Sequence, residues 1–312
     1  MVTPAPAGTL HGNRMTALRW QGFLEQCGYA VRVSEAWSGK LTDLLIALHA
    51  FRSYPSIALF KKTYPDKPIA LIMTGTDLYR DMPTHPEVLQ SMEMANAIIL
   101  LQSAAMDLVP AHLQAKTQVI YQSVKAIQRK PLLKRRFLVS VIGHLRPEKD
   151  PFCIVRSLAF TLPESALHVI HLGNAMRPEM RQQALAYDST EERYQWLGEL
   201  SHAKTLQALS RSHLMVISSL MEGGAHVVSE AIAIGVPVIA SDIPGNRGLL
   251  GEYYPGYFPV RDERALAQLL QQAETDPNFY ESLERHIQAR QQYVKPESEL
   301  RSIQALTKRL LN

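Results

Sequence analysis

The residues best suited to chemistry lie in the run Glu222-Gly-Gly-Ala-His-Val-Val-Ser-Glu230, between the apolar segment Met215-Val-Ile-Ser and a helical pattern. Gly223 and Gly224 let the backbone approach a ligand closely. The N–H groups of Ala225, His226 and Val227 then sit at a helix N-terminus, where unpaired donors and the helix dipole favour an anion such as a diphosphate. Glu230, one turn inside that helix, is placed to accept hydrogen bonds from ribose hydroxyls. Glu222, ahead of the turn, is placed to reach a sugar. A Gly-Gly turn alone is weak evidence, since a surface turn with two acids reads the same way. The two acids at this spacing, between a strand and a helix, decide for a ligand site.

A second run, Gly143-His-Leu-Arg-Pro-Glu-Lys-Asp150, follows the strand pattern of residues 137–142. Its cations Arg146 and Lys149 stand at a strand's carboxyl end and are suited to neutralising phosphate. In the N-terminal half, His11-Gly12-Asn13-Arg14 opens a helical pattern. Ile46-Ala-Leu-His49-Ala-Phe-Arg52 and Thr74-Gly75-Thr76-Asp77-Leu-Tyr-Arg-Asp81 each follow a strand pattern. Gly12, Asn13, Arg14, Arg52, Thr74, Gly75 and Thr76 form a cluster of donors and cations for a small anion. His49 and Asp77 are its candidate catalytic groups, and Glu222 is the third candidate catalytic residue. The plainer alternatives are a packed histidine and an aspartate capping a short helix. Met15 and Leu18 read as core.

Such runs need elements that deliver them to strand ends. Short β-branched runs at 30–33, 44–48, 69–73, 97–101 and 118–121 alternate with helical patterns at 13–27, 56–63, 86–95 and 104–113. A further strand is expected before Pro4, where Val2-Thr3 leaves room only for a very short one unless the encoded start lies upstream. A second alternation has strands at 137–142, 167–172, 213–217 and 236–240. Its helices fall near 152–160, 178–186, 202–210 and 225–234, and the chain is helical after Asp262. Repeated βα units imply two doubly wound domains, with ligands beyond the carboxyl ends of the strands. The expected division is an N-terminal acceptor domain (1–124), a basic solvated linker (125–136) and a C-terminal donor domain (137–312) whose last helices cross back.

Taken together, Gly143-x-Leu145 followed by Lys149, the Glu222-x7-Glu230 pair and Gly235-Val-Pro-Val-Ile-Ala-Ser241 resemble the retaining family-4 glycosyltransferases. The likeness spans 137 to about 259. It implies the α/β GT-B fold, two Rossmann-like domains facing a cleft. It also implies a donor site of His144, Arg146, Lys149, Glu222, Gly223, Gly224, Ala225, His226, Val227 and Glu230. Leu197-Gly-Glu199-Leu200 resembles the family's base-contacting turn, and Gly173 its small residue beside the donor. The family's Arg after the first Gly is His144 here; Arg146 is the available substitute, which leaves open which cation meets which phosphate. With the blocks at 11–14, 46–52, 74–81 and 254–260, the chain resembles, nearly end to end, the selenosugar synthases of selenoneine biosynthesis (SenB type). That resemblance implies transfer of N-acetylglucosamine from UDP-GlcNAc to the selenium of selenophosphate, releasing UDP and phosphate.

Composition narrows the alternatives. The 33 basic and 29 acidic side chains leave a net charge of only +4, not the clustered basic face of a nucleic-acid binder. Cys27 and Cys153 match no metal or redox spacing and are expected to be buried structural thiols. No run of about 18 apolar residues and no signal-peptide h-region occur, so a cytoplasmic enzyme without a membrane span is expected. No Asp-x-Asp occurs, which speaks for a metal-independent transferase; no cofactor is expected beyond the sugar nucleotide itself. Three functions stay open: selenosugar synthesis, conventional transfer to a hydroxyl, and a non-enzymatic sugar-nucleotide binding module. Both acids and both cations of the donor site disfavour the last.

Overall fold

The computed structural model describes residues 1–8 and 12–312, so His11 of the expected helix-opening turn lies outside the described residues. The chain divides into two compact units, residues 1–123 with 296–312, and residues 124–295.

The first unit contains α1 (Gly12–Gln26), β1 (Leu45–Leu48), α2 (Tyr54–Thr63), β2 (Ile69–Ile72), α3 (Pro86–Met94), β3 (Ala97–Leu100), α4 (Ala111–Gln114) and β4 (Thr117–Val119). The strands form one parallel sheet in the order β1-β2-β3-β4. β1, β2 and β3 are buried throughout, because a parallel sheet is covered on both faces. Alternate residues divide between the two covers. Leu45, Ala47, Ile69 and Leu71 share a core with Ile57, Phe60, Val88 and Met92 of α2 and α3. Ile46, Leu48, Ala70 and Ile72 share the other with Trp20 and Leu24 of α1 and with Ile303 and Leu306 of the C-terminal helix Pro296–Leu311.

Several local expectations are corrected here. Residues 30–33 are not a strand. The contact they were expected to make is carried by single parallel bridges from Val2 to Ser34 and to Ala47. Pro4 removes the next backbone donor, so Val2 and Thr3 sustain no ladder. The helix expected over 104–113 is a 3-10 segment, Ser103–Leu108, and a one-turn helix, separated at Pro110. Met15 and Leu18 are about 40% exposed and belong to the outer face of α1, while Ala17 and Trp20 point inward. Cys27 is half-buried rather than buried.

The second unit contains β5 (Phe137–Ile142), α5 (Cys153–Ser157), β6 (Leu167–Leu172), α6 (Pro178–Thr190), β7 (Tyr194–Gly198) and α7 (His202–Ser210). It continues through β8 (Leu214–Ile217), α8 (His226–Ile234), β9 (Val238–Ser241), α9 (Pro244–Leu250), β10 (Tyr257–Phe258), α10 (Glu263–Thr275) and α11 (Pro277–Arg290). Its parallel sheet has the order β10-β9-β8-β5-β6-β7. The first strand therefore lies at the centre, and the winding reverses between β5 and β8, the position at which open α/β sheets bind ligands. The helix expected over 152–160 is α5 and a short 3-10 continuation. β7 and β10 were missed because each lacks a run of β-branched residues. Residues 123–136 lack regular structure, but Arg129 is no solvated linker cation. Its guanidinium donates to the Gly235 carbonyl (2.6 Å), Glu284 (2.7 Å) and the Tyr280 hydroxyl (2.8 Å). Cys153 is buried, which pushes its thiol pKa up to about 12 and leaves it inert. Among the described residues no helix is long and apolar enough to cross a membrane.

Candidate active site

In the second unit the loops after β5, β6 and β8 converge. The loop after β5 ends in a single 3-10 turn, Pro147–Lys149, and is tied to the loop after β8. Ser218 donates to the Asp150 carbonyl (2.9 Å), and the Leu220 N–H donates to the Glu148 carbonyl (2.9 Å). This tie brings Lys149 to Glu222: its ammonium donates to Glu222 Oε1, which also accepts from the Ser219 hydroxyl (2.6 Å). Glu222 is thus oriented from both sides while Lys149 stays about a third exposed. Arg146, at the same loop, lies 3.9 Å from Glu148 and makes no closer ion pair among the described residues.

The loop after β6 is built around Gly173. A Cβ there would stand 1.9 Å from the Gly143 carbonyl oxygen, so no other residue fits. The Gly173 N–H donates to the Gly198 carbonyl (2.8 Å), which joins the expected base-contacting turn at Glu199 and Leu200 to the same edge. His144 accepts from the Asn174 N–H through Nδ1 (3.1 Å).

Glu230, in the first turns of α8, is 5% exposed. Its Oε1 accepts from His202 Nε2 (2.6 Å) and lies 3.2 Å from His226 Nδ1. Burial pushes the Glu230 pKa up, but the bonds from His202 and His226 outweigh it and hold the carboxyl at about 2. The bond to Glu230 raises the His202 pKa. Glu230 therefore adds stability that is present above its ordinary value of 4.5 and is lost as the pH falls toward 2. His202 adds stability that is complete below its ordinary 6.5 and fades as the pH rises through its elevated value. Glu230→Gln is expected to return His202 to an ordinary titration. Histidine NMR across the pH range checks this; an unchanged His202 curve would break the assignment.

His202 was not legible in the sequence, because it lies 28 residues from Glu230. Gly245 was likewise missed: a Cβ at this second residue of α9 would stand 2.1 Å from the Glu222 carbonyl oxygen. The helix thus packs directly on the backbone that carries Glu222.

In the first unit the loops after β1 and β2 meet. Asp77 accepts from the N–H groups of Ala50 (2.9 Å), Thr74 (2.8 Å) and Gly75 (2.8 Å), and it is fully buried. Its carboxylate is committed to holding the two loops together, not to meeting a reacting atom. His49 is 1% exposed, and its Nε2 lies 3.0 Å from Thr76 Oγ1. Burial lowers its pKa, Asp77 and Asp81 act to raise it, and Arg52 and Arg80 act to lower it, so the ring is neutral near pH 7. Thr74 and Thr76 are half-buried and Arg52 is exposed. Gly12, Asn13 and Arg14 form the first turn of α1, where the half-buried Arg14 has an Nε without a hydrogen-bond partner among the described residues.

Two doubly wound parallel units, with glycine-shaped loops and charged side chains at the strand ends, define a GT-B type nucleotide-sugar enzyme architecture. Residues 123–292 match the family described as glycosyl transferases, group 1, and the chain belongs to that family. It is 23% identical over 266 residues, 77% of each chain, to glycosyltransferase 1 domain-containing protein 1 of Xenopus tropicalis. It is similar in fold to HepE of Anabaena, solved with UDP and glucose (TM-score 0.67, 17% identity, covering 99% of this chain and 85% of that one). It is similar also to the pneumococcal O-GlcNAc transferase GtfA, solved with UDP and GlcNAc (TM-score 0.68, 16% identity, covering 95% and 60%).

Proposed function

We propose that the chain is a selenosugar synthase that transfers N-acetylglucosamine from UDP-GlcNAc to selenophosphate. The selenium–carbon bond forms as the bond between C1 and the diphosphate breaks. Water then takes the phosphoryl group, releasing phosphate and 1-seleno-N-acetylglucosamine. On the donor side, Glu230 holds the ribose and Glu222 the sugar. The N-terminus of α8 with Arg146 and Lys149 stabilises the departing diphosphate, so that no metal is required.

The observation that carries the acceptor is the block at 74–81, which resembles that of the synthases and sits in a loop where the half-buried Thr76 meets His49. The Nε of Arg14, without a hydrogen-bond partner among the described residues, supports an anionic ligand in the same unit. Conventional transfer to a hydroxyl is the second reading, favoured by the sugar-bound relatives. It calls for a base, and His49 receives an N–H at one ring nitrogen and faces Thr76 with the other.

Arg14→Ala is expected to raise the apparent KM for selenophosphate by roughly 10- to 100-fold, the effect of losing a charge-assisted hydrogen bond, with little change for UDP-GlcNAc. The assay is UDP release in buffer containing EDTA, with selenophosphate, phosphate and a sugar alcohol as acceptors. Equal loss for both substrates removes Arg14 from the acceptor site. Transfer to the alcohol with none to selenophosphate leaves a conventional glycosyltransferase.

A further inference from the structure

The loop after β1 holds His49 in a left-handed backbone conformation, φ 72°, which is unusual for a residue with a side chain. The conformation closes a turn in which the Ser53 N–H donates to the His49 carbonyl (3.0 Å). It also directs the Arg52 N–H at His49 Nδ1 (3.3 Å). A nitrogen that receives an N–H carries no proton in the neutral ring, so the proton is on Nε2. Nε2 faces two oxygens: Thr76 Oγ1 at 3.0 Å and Asp81 Oδ2 at 3.7 Å.

Asp81 is 2% exposed, and its Oδ2 has no hydrogen-bond partner among the described residues. Its Oδ1 accepts from Arg80 Nε (2.8 Å). A single wide turn, Asp77–Asp81, closed by the Met82 N–H on the Asp77 carbonyl (2.9 Å), brings this second aspartate round to the histidine. A carboxylate beside Nε2 stabilises a proton there. Thr76, just ahead of that turn, uses its side chain for no helix cap. Having accepted from Nε2–H, its hydroxyl must donate its own proton elsewhere, and no protein acceptor for it exists among the described residues.

We infer that Asp81 is a positioning residue that holds His49 in its Nε2–H tautomer, so that Thr76 presents its hydroxyl as a committed donor to a phosphoryl oxyanion. The inference rests on the reading that this unit takes the acceptor. The relay runs from the Arg52 N–H through the ring to Thr76, and Asp81 sets its direction. Replacing Asp81 by asparagine puts an amide donor at the Oδ2 position in one orientation. The amide then opposes Nε2–H and favours the other tautomer. Thr76 is thereby obliged to donate to Nε2, which spends its proton within the protein.

The test is done on the full chain without sugar donor. In wild-type protein, the ¹⁵N shifts of His49 should show the Nε2–H tautomer, and inorganic phosphate should bind. Asp81→Asn should move the shifts to the other tautomer and weaken phosphate about 10-fold. Thr76→Val should weaken it equally, Thr76→Ser should retain it, and the Asp81→Asn/Thr76→Val pair should lose no more than either alone. A wild-type Nδ1–H tautomer, failure to bind phosphate, or additive losses in the double variant would each overturn the relay. A wild type that binds phosphate with the expected tautomer and coupling, yet transfers only to an alcohol, would sustain the relay and refute the selenophosphate reading.

Discussion

Lys149→Ala is expected to lower kcat by roughly 10²- to 10³-fold, the loss typical of removing one preorganised donor from a site of developing negative charge. Lys149 ends a one-turn 3-10 segment and bonds Glu222, whose carboxylate also takes the Ser219 hydroxyl. In the proposed reaction the diphosphate gains charge as C1 departs, and the ammonium turns toward it. The interaction is strongest in the transition state, so kcat falls more than the donor KM rises. Lys149→Arg should recover part of the rate, since a guanidinium keeps the charge but not the point geometry. Single-turnover measurements on both variants check this. A normal rate in Lys149→Ala, with only a lowered melting temperature, would assign the lysine to loop stability alone.

Glu299→Ala is expected to cost about 3–5 kcal/mol of stability, as when one partner of a buried ion pair is removed. Glu299 lies on the C-terminal helix and is 2% exposed. Its carboxylate accepts from Arg19 Nε (2.9 Å), Trp20 Nε1 (2.9 Å), and the N–H (2.7 Å) and hydroxyl (2.5 Å) of Ser123. Truncation removes the acceptor of an indole N–H, a backbone N–H and the Arg19 Nε–H in the seam between this helix and α1. The melting midpoint should fall by on the order of 10 °C. Glu299→Gln, which keeps acceptor oxygen but not charge, should lie between. A loss under about 1 kcal/mol in chemical denaturation would show that the chain ends are held by apolar packing alone.

Much of the frame is legible in local sequence because buried parallel strands are written as short apolar runs. Phe137–Ile142 and Leu167–Leu172 fall where their β-branched residues indicate, and α7 begins at His202 as its pattern requires. The marginal elements escape. β7 reads Tyr-Gln-Trp-Leu-Gly, β10 has two residues, and the pairing near residue 34 depends on a single residue, Val2. Such segments become strands, or fail to, according to the neighbours that the sheet supplies.

The sequence by itself determined that two acids, two glycines and a helix start stand after one strand, and that two cations stand after another. These are contiguous spacings, and periodicity reads them. Only the tertiary structure decided which groups those residues meet. His202 caps Glu230 from another helix, and Gly245 admits α9 against the Glu222 backbone. Asp77 is absorbed into backbone hydrogen bonds, while Asp81, one wide turn later, has an oxygen near His49 with no hydrogen-bond partner among the described residues. The reason is physical: hydrogen-bond partners and steric neighbours across a parallel fold are separated by whole βα units. Their identity is set by sheet order and register, which no local run of residues encodes.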